Sequence, residues 1–207
     1  MSASADYLNV AIMLLMAKIG LGIGPNLGII TSSGWALILQ ELGHFFGTII
    51  LGLPVALLVG MRREAVGACY SVDREPNIAI ITNKYGFDSP EGRGVMGMYI
   101  CGTLFGAMWI SVLAGFIAGL DIFHPYALAM GAGIGSASMM AAATGSIIAN
   151  YPSMATQITA LAGAANLLTT VLGVDFALFI SLPVMEKVYS WATGRTREED
   201  LAAEEEK

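Results

Sequence analysis

The stretch GAGIGSASMMAAATGS, residues 131–146, decides how this chain folds. It sits inside an apolar run, yet residues 131–138 carry bulk only at Ile134 and are glycine, alanine or serine elsewhere. Four glycines lower the stability of a helix, and a helix without bulk on any face is poorly adapted to lipid. Membrane proteins use such segments in two ways. Small residues let helices approach closely, or glycine interrupts a helix and frees backbone groups to bind a solute or an ion. The second reading is the expectation, with Gly133, Gly135, Ser136, Ser138 and Thr144 as backbone and hydroxyl ligands, and tight packing is its rival.

The surroundings of the stretch are those of a membrane protein. In 207 residues, 56% are hydrophobic and 13% charged, and the mean hydropathy of +0.69 excludes an ordinary soluble domain. The net charge of −6 owes much to the acidic end TREEDLAAEEEK, residues 196–207, and points to no nucleic acid. The start MSASADYLNV lacks a basic n-region, and no small-residue cleavage site follows, so no signal peptide is read. A helix needs about 20 mostly apolar residues to span the hydrocarbon core. Five stretches come close: roughly 7–23, 34–60, 94–119, 126–149 and 155–181. The first ends in GLGIGPNLG, where Pro25 and four glycines break a helix and Thr31, Ser32 and Ser33 offer caps to restart one. The expected fold is therefore an all-α integral membrane protein. It would be a polytopic helical bundle of about five or six segments, at least one of them discontinuous or re-entrant. Residues 1–183 form the transmembrane domain in this reading, and 184–207 a charged, solvent-exposed C-terminal tail.

Orientation follows from charge. The connection 61–93 holds Arg62, Arg63, Arg74, Lys84 and Arg93, half of the ten basic residues, and is read as cytoplasmic. Its sequence VDREPNIAIITNKYGFDSPEGRG supports two readings. One is a surface loop followed by a helix start, with Asp88 as N-cap, Pro90 in the first turn and Glu91 facing the positive end of the dipole. The other is a cytoplasmic gate built from Asp73, Arg74, Glu75 and Asn77. The tail carries Lys187, Arg195 and Arg197 but is net acidic, and Thr196 to Glu199 has capping-box spacing; it constrains orientation weakly, and the parity of crossings stays open.

Ionisable groups inside apolar helices normally face a protein interior or a water path. LILQELGHFFGTIILGLP, residues 37–54, places Gln40, Glu41 and His44 together, and the i, i+3 spacing puts Glu41 and His44 on one face, suited to holding a proton or an ion. Their rival placement is near the outer interface. Asp175 in TTVLGVDFALFISLP lies deep if the helix breaks at Gly173 and near an interface if it does not. Lys18, near the broken end of the first segment, snorkels to the interface. Glu-x-x-His also occurs in di-iron bundles, which need two such motifs; this chain has two histidines in all, and His124 stands in the DIFHP turn. No metal or cofactor is expected. Cys69 and Cys101 fit no redox spacing and read as packing residues. No Ser/His or Cys/His arrangement supports an enzyme.

The pieces LILQELGHFFGTIILGLPVALLVGMRREAVGACYSVDREPNIAIITNKYGFDSPEGRGV, residues 37–95, and ALAMGAGIGSASMMAAATGSI, residues 127–147, resemble parts of an uncharacterised family of bacterial inner-membrane proteins, known as a domain of unknown function. The resemblance covers roughly residues 25–180. More distantly, the Gly/Ser segment is similar in style to the broken helices of lysine exporters, holin-associated membrane proteins and bile-acid-symporter-like carriers. Those families imply transport through an inverted-repeat core. Such carriers have about ten spans, so the resemblance implies that a second copy or a separate membrane chain completes this one.

The leading expectation is a secondary transporter, or half of one, in the bacterial inner membrane. It would move a small polar solute such as a carboxylate or amino acid with proton or cation coupling at Glu41, His44 and Asp175. The alternative is a non-transporting structural or regulatory membrane protein whose glycines, in small-x-x-x-small pairs such as Gly43/Gly47, Gly102/Gly106 and Gly115/Gly119, serve helix assembly.

Overall fold

The computed structural model describes residues 24–70 and 75–205, together with 14, 17 and 21. Every regular element among them is helical. In chain order, the α-helices are α1 (Leu27–Ser32), α2 (Gly34–Gly47), α3 (Leu53–Leu58), α4 (Glu64–Cys69), α5 (Glu75–Tyr85), α6 (Pro90–Cys101), α7 (Ala107–Gly119), α8 (Pro125–Ala132), α9 (Ala137–Asn150), α10 (Ala155–Phe176), α11 (Leu182–Thr193) and α12 (Arg197–Glu205). Among the described residues, three continuous helical runs are long and apolar enough to cross a membrane: Gly34–Leu58, Pro90–Gly119 and Pro152–Thr193, of 25, 30 and 42 residues. At 1.5 Å per residue the shortest is about 38 Å long, enough for a hydrocarbon core of about 30 Å.

Each run contains one π-helical turn, at Thr48–Gly52, Gly102–Gly106 and Ala177–Ser181. Pro54 and Pro183 follow two of these turns by two residues. A proline ring clashes with the carbonyl four residues back and donates no N–H, and widening the preceding turn absorbs the misfit without ending the helix.

Three of the five expected spans are thus single long helices, and a fourth is not. The stretch 126–149 is divided between α8, of 8 residues, and α9, of 14, with residues 133–136 between them. The segment 7–23 and Lys18 lie outside the described residues, apart from positions 14, 17 and 21. Thr31 and Ser32 do not cap a new helix. Their hydroxyls donate back to the carbonyls of Leu27, Gly28 and Ile29, leaving Ser33 as a brief interruption before α2. The helix also runs on through Gly173, so Asp175 caps nothing and stands exposed on α10.

The chain divides into two compact units, and the division falls within each long run. Unit 1 holds residues 1–41 and 104–170. Its apolar cluster centres on Ala118, Ala129, Ile147, Ile158 and Leu161. α7 packs on α9 through small residues: Gly115 meets Ser146, Gly119 meets Asn150, and the hydroxyls of Ser111 and Ser146 lie 2.7 Å apart. The Gly115/Gly119 pair therefore serves close packing, as its spacing suggests.

Unit 2 holds residues 42–103 and 171–207. Its core gathers Leu53, Val66, Tyr70, Ile81, Leu182, Met185 and Tyr189. The short helix α4 is buried from Ala65 to Cys69, and it crosses α6 at two reciprocal glycines. A Cβ on Gly67 would lie 1.9 Å from the Glu91 carbonyl oxygen, and one on Gly94 would lie 2.0 Å from that of Glu64. Only backbone without side chains fits on either side of this crossing. The cap of α6 is Ser89 in place of the expected Asp88: the Ser89 hydroxyl accepts from the Gly92 N–H at 2.9 Å, and Pro90 takes the first helical position.

Candidate functional site

Two clusters of buried polar groups emerge, one in each unit. In unit 1, α10 is the organising element. Asn166 and Thr169 stand three residues apart on it and so share a face. The Asn166 amide donates both of its hydrogens, one to the Gly133 carbonyl at 2.9 Å and one to the Gly135 carbonyl at 2.8 Å. These carbonyls lie where α8 has ended and α9 has not begun, so no continuous helix takes them up. Gly133 is required here, because a Cβ would come within 2.5 Å of the Ala162 carbonyl oxygen and of the Ala165 Cβ. Ser136 caps α9 by accepting from the Met139 N–H and lies 3.1 Å from the Ser138 hydroxyl. Thr144 is buried on α9.

One turn along α10, the Thr169 hydroxyl lies 2.6 Å from Oε1 of Glu41, and the Gln40 amide reaches the same oxygen at 3.4 Å. Glu41 is only 3% exposed and Thr169 1%. Unit 1 thus brings together Gln40, Glu41, Gly133 and Gly135 from the sequence reading, through two residues that reading did not single out. The signal for them was present: LAGAANLLTT places an amide and a hydroxyl at i, i+3 inside an apolar run. Replacing Asn166 with alanine removes the donor to both carbonyls, that of Gly133 buried and that of Gly135 part-buried, and a buried carbonyl left unsatisfied costs about 1–3 kcal/mol. Asn166→Ala is therefore expected to lower the stability of the protein by about 1–3 kcal/mol, measured by chemical denaturation; a loss below about 0.5 kcal/mol contradicts this role.

Other expected site residues fall elsewhere. His44 is buried on α2 within unit 2, and Asp175 is exposed within unit 2. Of the proposed gate, Asp73 and Arg74 lie outside the described residues, and Glu75 opens α5. Asn77 is buried, its carbonyl accepting from the Tyr70 hydroxyl at 2.6 Å.

The unit 2 cluster was not foreseen. Glu91, fully buried, accepts through Oε1 from Arg63 at 2.8 Å and from Arg197 at 3.1 Å. Arg63 is 4% exposed, reaches Glu186 at 3.2 Å and lies over the Tyr189 ring at 5.4 Å. Glu186 also accepts from the Tyr85 hydroxyl and faces Lys84 at 3.6 Å. Burial first, and then the bond to Glu186, pushes the Tyr85 hydroxyl above its ordinary range, which keeps it a donor. On α12, Thr196 and Glu199 form the expected capping box. The tail also contributes buried groups: Met185 and Tyr189 belong to the core, and Asp200 accepts from the Tyr189 hydroxyl at 2.9 Å. A reciprocal pair, Arg93 to Glu64 at 3.1 Å, lies at the outer edge of the same α4–α6 crossing. These charges neutralise one another and tie α4, α6, α11 and α12 into one body.

Among the described residues, no group of three or more His, Cys, Asp or Glu side chains is disposed to hold a metal ion. A family model described as a protein of unknown function, DUF3100, matches residues 1–191. No curated protein matches the chain, and no solved structure does.

Proposed function

We propose, for a chain that belongs to the DUF3100 family of proteins of unknown function, a role as a helical secondary-transport protein or one half of one. It moves a small polar solute, such as a carboxylate or amino acid, across the inner membrane of a bacterium. The observation that carries this reading is the pair of carbonyls at Gly133 and Gly135, held by Asn166 on the same face of α10 that meets the buried Glu41. Backbone acceptors in an interrupted helix beside an intramembrane carboxylate are the groups with which carriers bind solute and coupling ion.

In this proposal the three long helices cross the membrane. The connection 61–93 and the segment after Leu182 share one face, since Arg63 pairs with Glu186 and Arg197 with Glu91 inside unit 2. The basic residues of that connection favour the cytoplasmic side. The longest helix, about 63 Å, is twice the hydrocarbon thickness, so its charged end at Glu186 and Lys187 has length to spare beyond the lipid.

A second reading, assembly without transport, draws support from Gly43 and Gly47, where an added Cβ meets nothing within 4 Å. Such an open small-residue face suits a second copy. Thiol labelling separates the two. In a Cys69→Ala/Cys101→Ala background, single cysteines at positions 136, 138 and 144 are treated from each side of the membrane with an impermeant maleimide. Transport predicts one position labelled from both sides; protection of all three from both sides supports assembly. Removing Cys69 is a precaution, as burial pushes its thiol up to about 11 and leaves it unreactive at neutral pH.

A further inference from the structure

We propose that Glu41 is a proton-binding group, taking up and releasing one proton with Thr169 as its switchable partner. This rests on the reading of unit 1 as a transport core and names its coupling ion.

The observation is a mismatch in hydrogen count. The Thr169 oxygen lies 2.6 Å from Glu41 Oε1 and 2.9 Å from the Ala165 carbonyl oxygen, both at hydrogen-bonding distance. A hydroxyl has one hydrogen, and Ala165 offers only an acceptor. With the carboxylate ionised, Thr169 donates to Glu41 and its contact with Ala165 lapses. With the carboxyl protonated, Glu41 donates to Thr169, and Thr169 turns its hydrogen to Ala165 in the usual back-bond of a helical threonine. The same heavy-atom arrangement serves both states, and the change between them is the swing of one hydrogen.

The contact of Glu41 with Gln40 has the same dual character. Gln40 presents its N–H₂ to Oε1 at 3.4 Å, while its own carbonyl oxygen is buried with no hydrogen-bond partner. Turning the amide over would offer that oxygen to a protonated carboxyl. A hydroxyl and an amide, each able to donate or accept, bind either form of a carboxyl.

The remaining titratable side chains of unit 1 among the described residues are engaged elsewhere. Asp121 accepts from the Tyr151 hydroxyl at 2.8 Å, and His124 caps α8 and stacks edge-on against Tyr126. His44 stands one turn beyond Glu41 along α2. Proton uptake is balanced in itself: one carboxylate and one proton give one carboxylic acid, and release reverses the step.

The test is infrared difference spectroscopy between acid and alkaline pH on the full chain in lipid. The expected result is a carbonyl-stretch signal of a protonated carboxyl that is absent from Glu41→Gln and displaced in Thr169→Val, where the hydroxyl is gone but the shape is kept. Thr169→Ser is expected to restore the original position. Identical difference spectra in the natural protein and in Glu41→Gln overturn the proposal. If Glu41→Gln does not fold, an unmoved signal in Thr169→Val overturns it equally. Because the spectrum reads proton binding without any solute, a positive signal in a protein whose positions 136, 138 and 144 stay protected keeps the proton site and removes the transport reading.

Discussion

Gly67→Ala is expected to prevent unit 2 from folding, or to cost at least about 3 kcal/mol where it does fold, at the upper end of what overpacking inflicts. The added methyl would stand 1.9 Å from the Glu91 carbonyl oxygen and 2.8 Å from its carbon. Both are backbone atoms inside a helix, so no rotamer change relieves the clash. Gly94→Ala should behave alike, for its Cβ meets the Glu64 carbonyl oxygen at 2.0 Å. Gly97 is the matched control: it lies on the same helix α6, and an added Cβ meets nothing within 4 Å. Gly97→Ala should be neutral or gain up to about 1 kcal/mol from helix propensity. Yield of monodisperse protein after solubilisation, followed by denaturation of whatever survives, checks all three. Equal behaviour of Gly67→Ala and Gly97→Ala would refute the close crossing.

The second large effect concerns Arg63. Arg63→Ala leaves the fully buried Glu91 with Arg197 alone, and removing one partner of a buried ion pair costs about 3–5 kcal/mol. Replacing both members of the pair, Arg63→Met with Glu91→Met, should recover most of that loss, since no uncompensated charge then remains and Arg197, 40% exposed, can turn to water. Denaturation of the single and double variants gives the coupling directly. A single-variant loss under about 1 kcal/mol would place the pair with exposed ion pairs, which contribute little.

What could be read in the sequence, and what could not, divides along a physical line. Long apolar runs are local signals, and they located Gly34–Leu58, Pro90–Gly119 and the core of Pro152–Thr193. The helix that ends at Ala132 and the one that begins at Ala137 are separated by consecutive small residues and Ile134. At α6 the cap was misplaced by one position, although Pro90 pointed to Ser89, the residue before a proline at the first helical position. The buried charges escaped because their partners are far apart in the chain: Arg63 and Glu91 by 28 residues, Arg63 and Glu186 by 123. Read locally, Arg63 was a topology signal, Glu91 a dipole partner and Arg197 part of a solvated tail. One local trace of the crossing is the recurrence of Glu-x-x-Gly at Glu64–Gly67 and Glu91–Gly94. Asn166 and Thr169 escaped because each is commonplace alone; what distinguishes them is the pair of carbonyls and the carboxylate they meet.

Unit 2 is assembled from chain segments made at different times, with residues 104–170 of unit 1 synthesised in between. Arg63 and Glu91 can meet early, but Arg197 follows Glu91 by 106 residues. At about 5–20 residues per second that interval is on the order of ten seconds of translation. Until Glu186 is made, Arg63 has only one of its two carboxylates, and until Arg197 is made, Glu91 has only one of its two guanidiniums. A nascent chain stalled before Glu186 would hold Arg63 and Glu91 paired with each other alone, so the buried cluster of unit 2 closes only when the last segment is made.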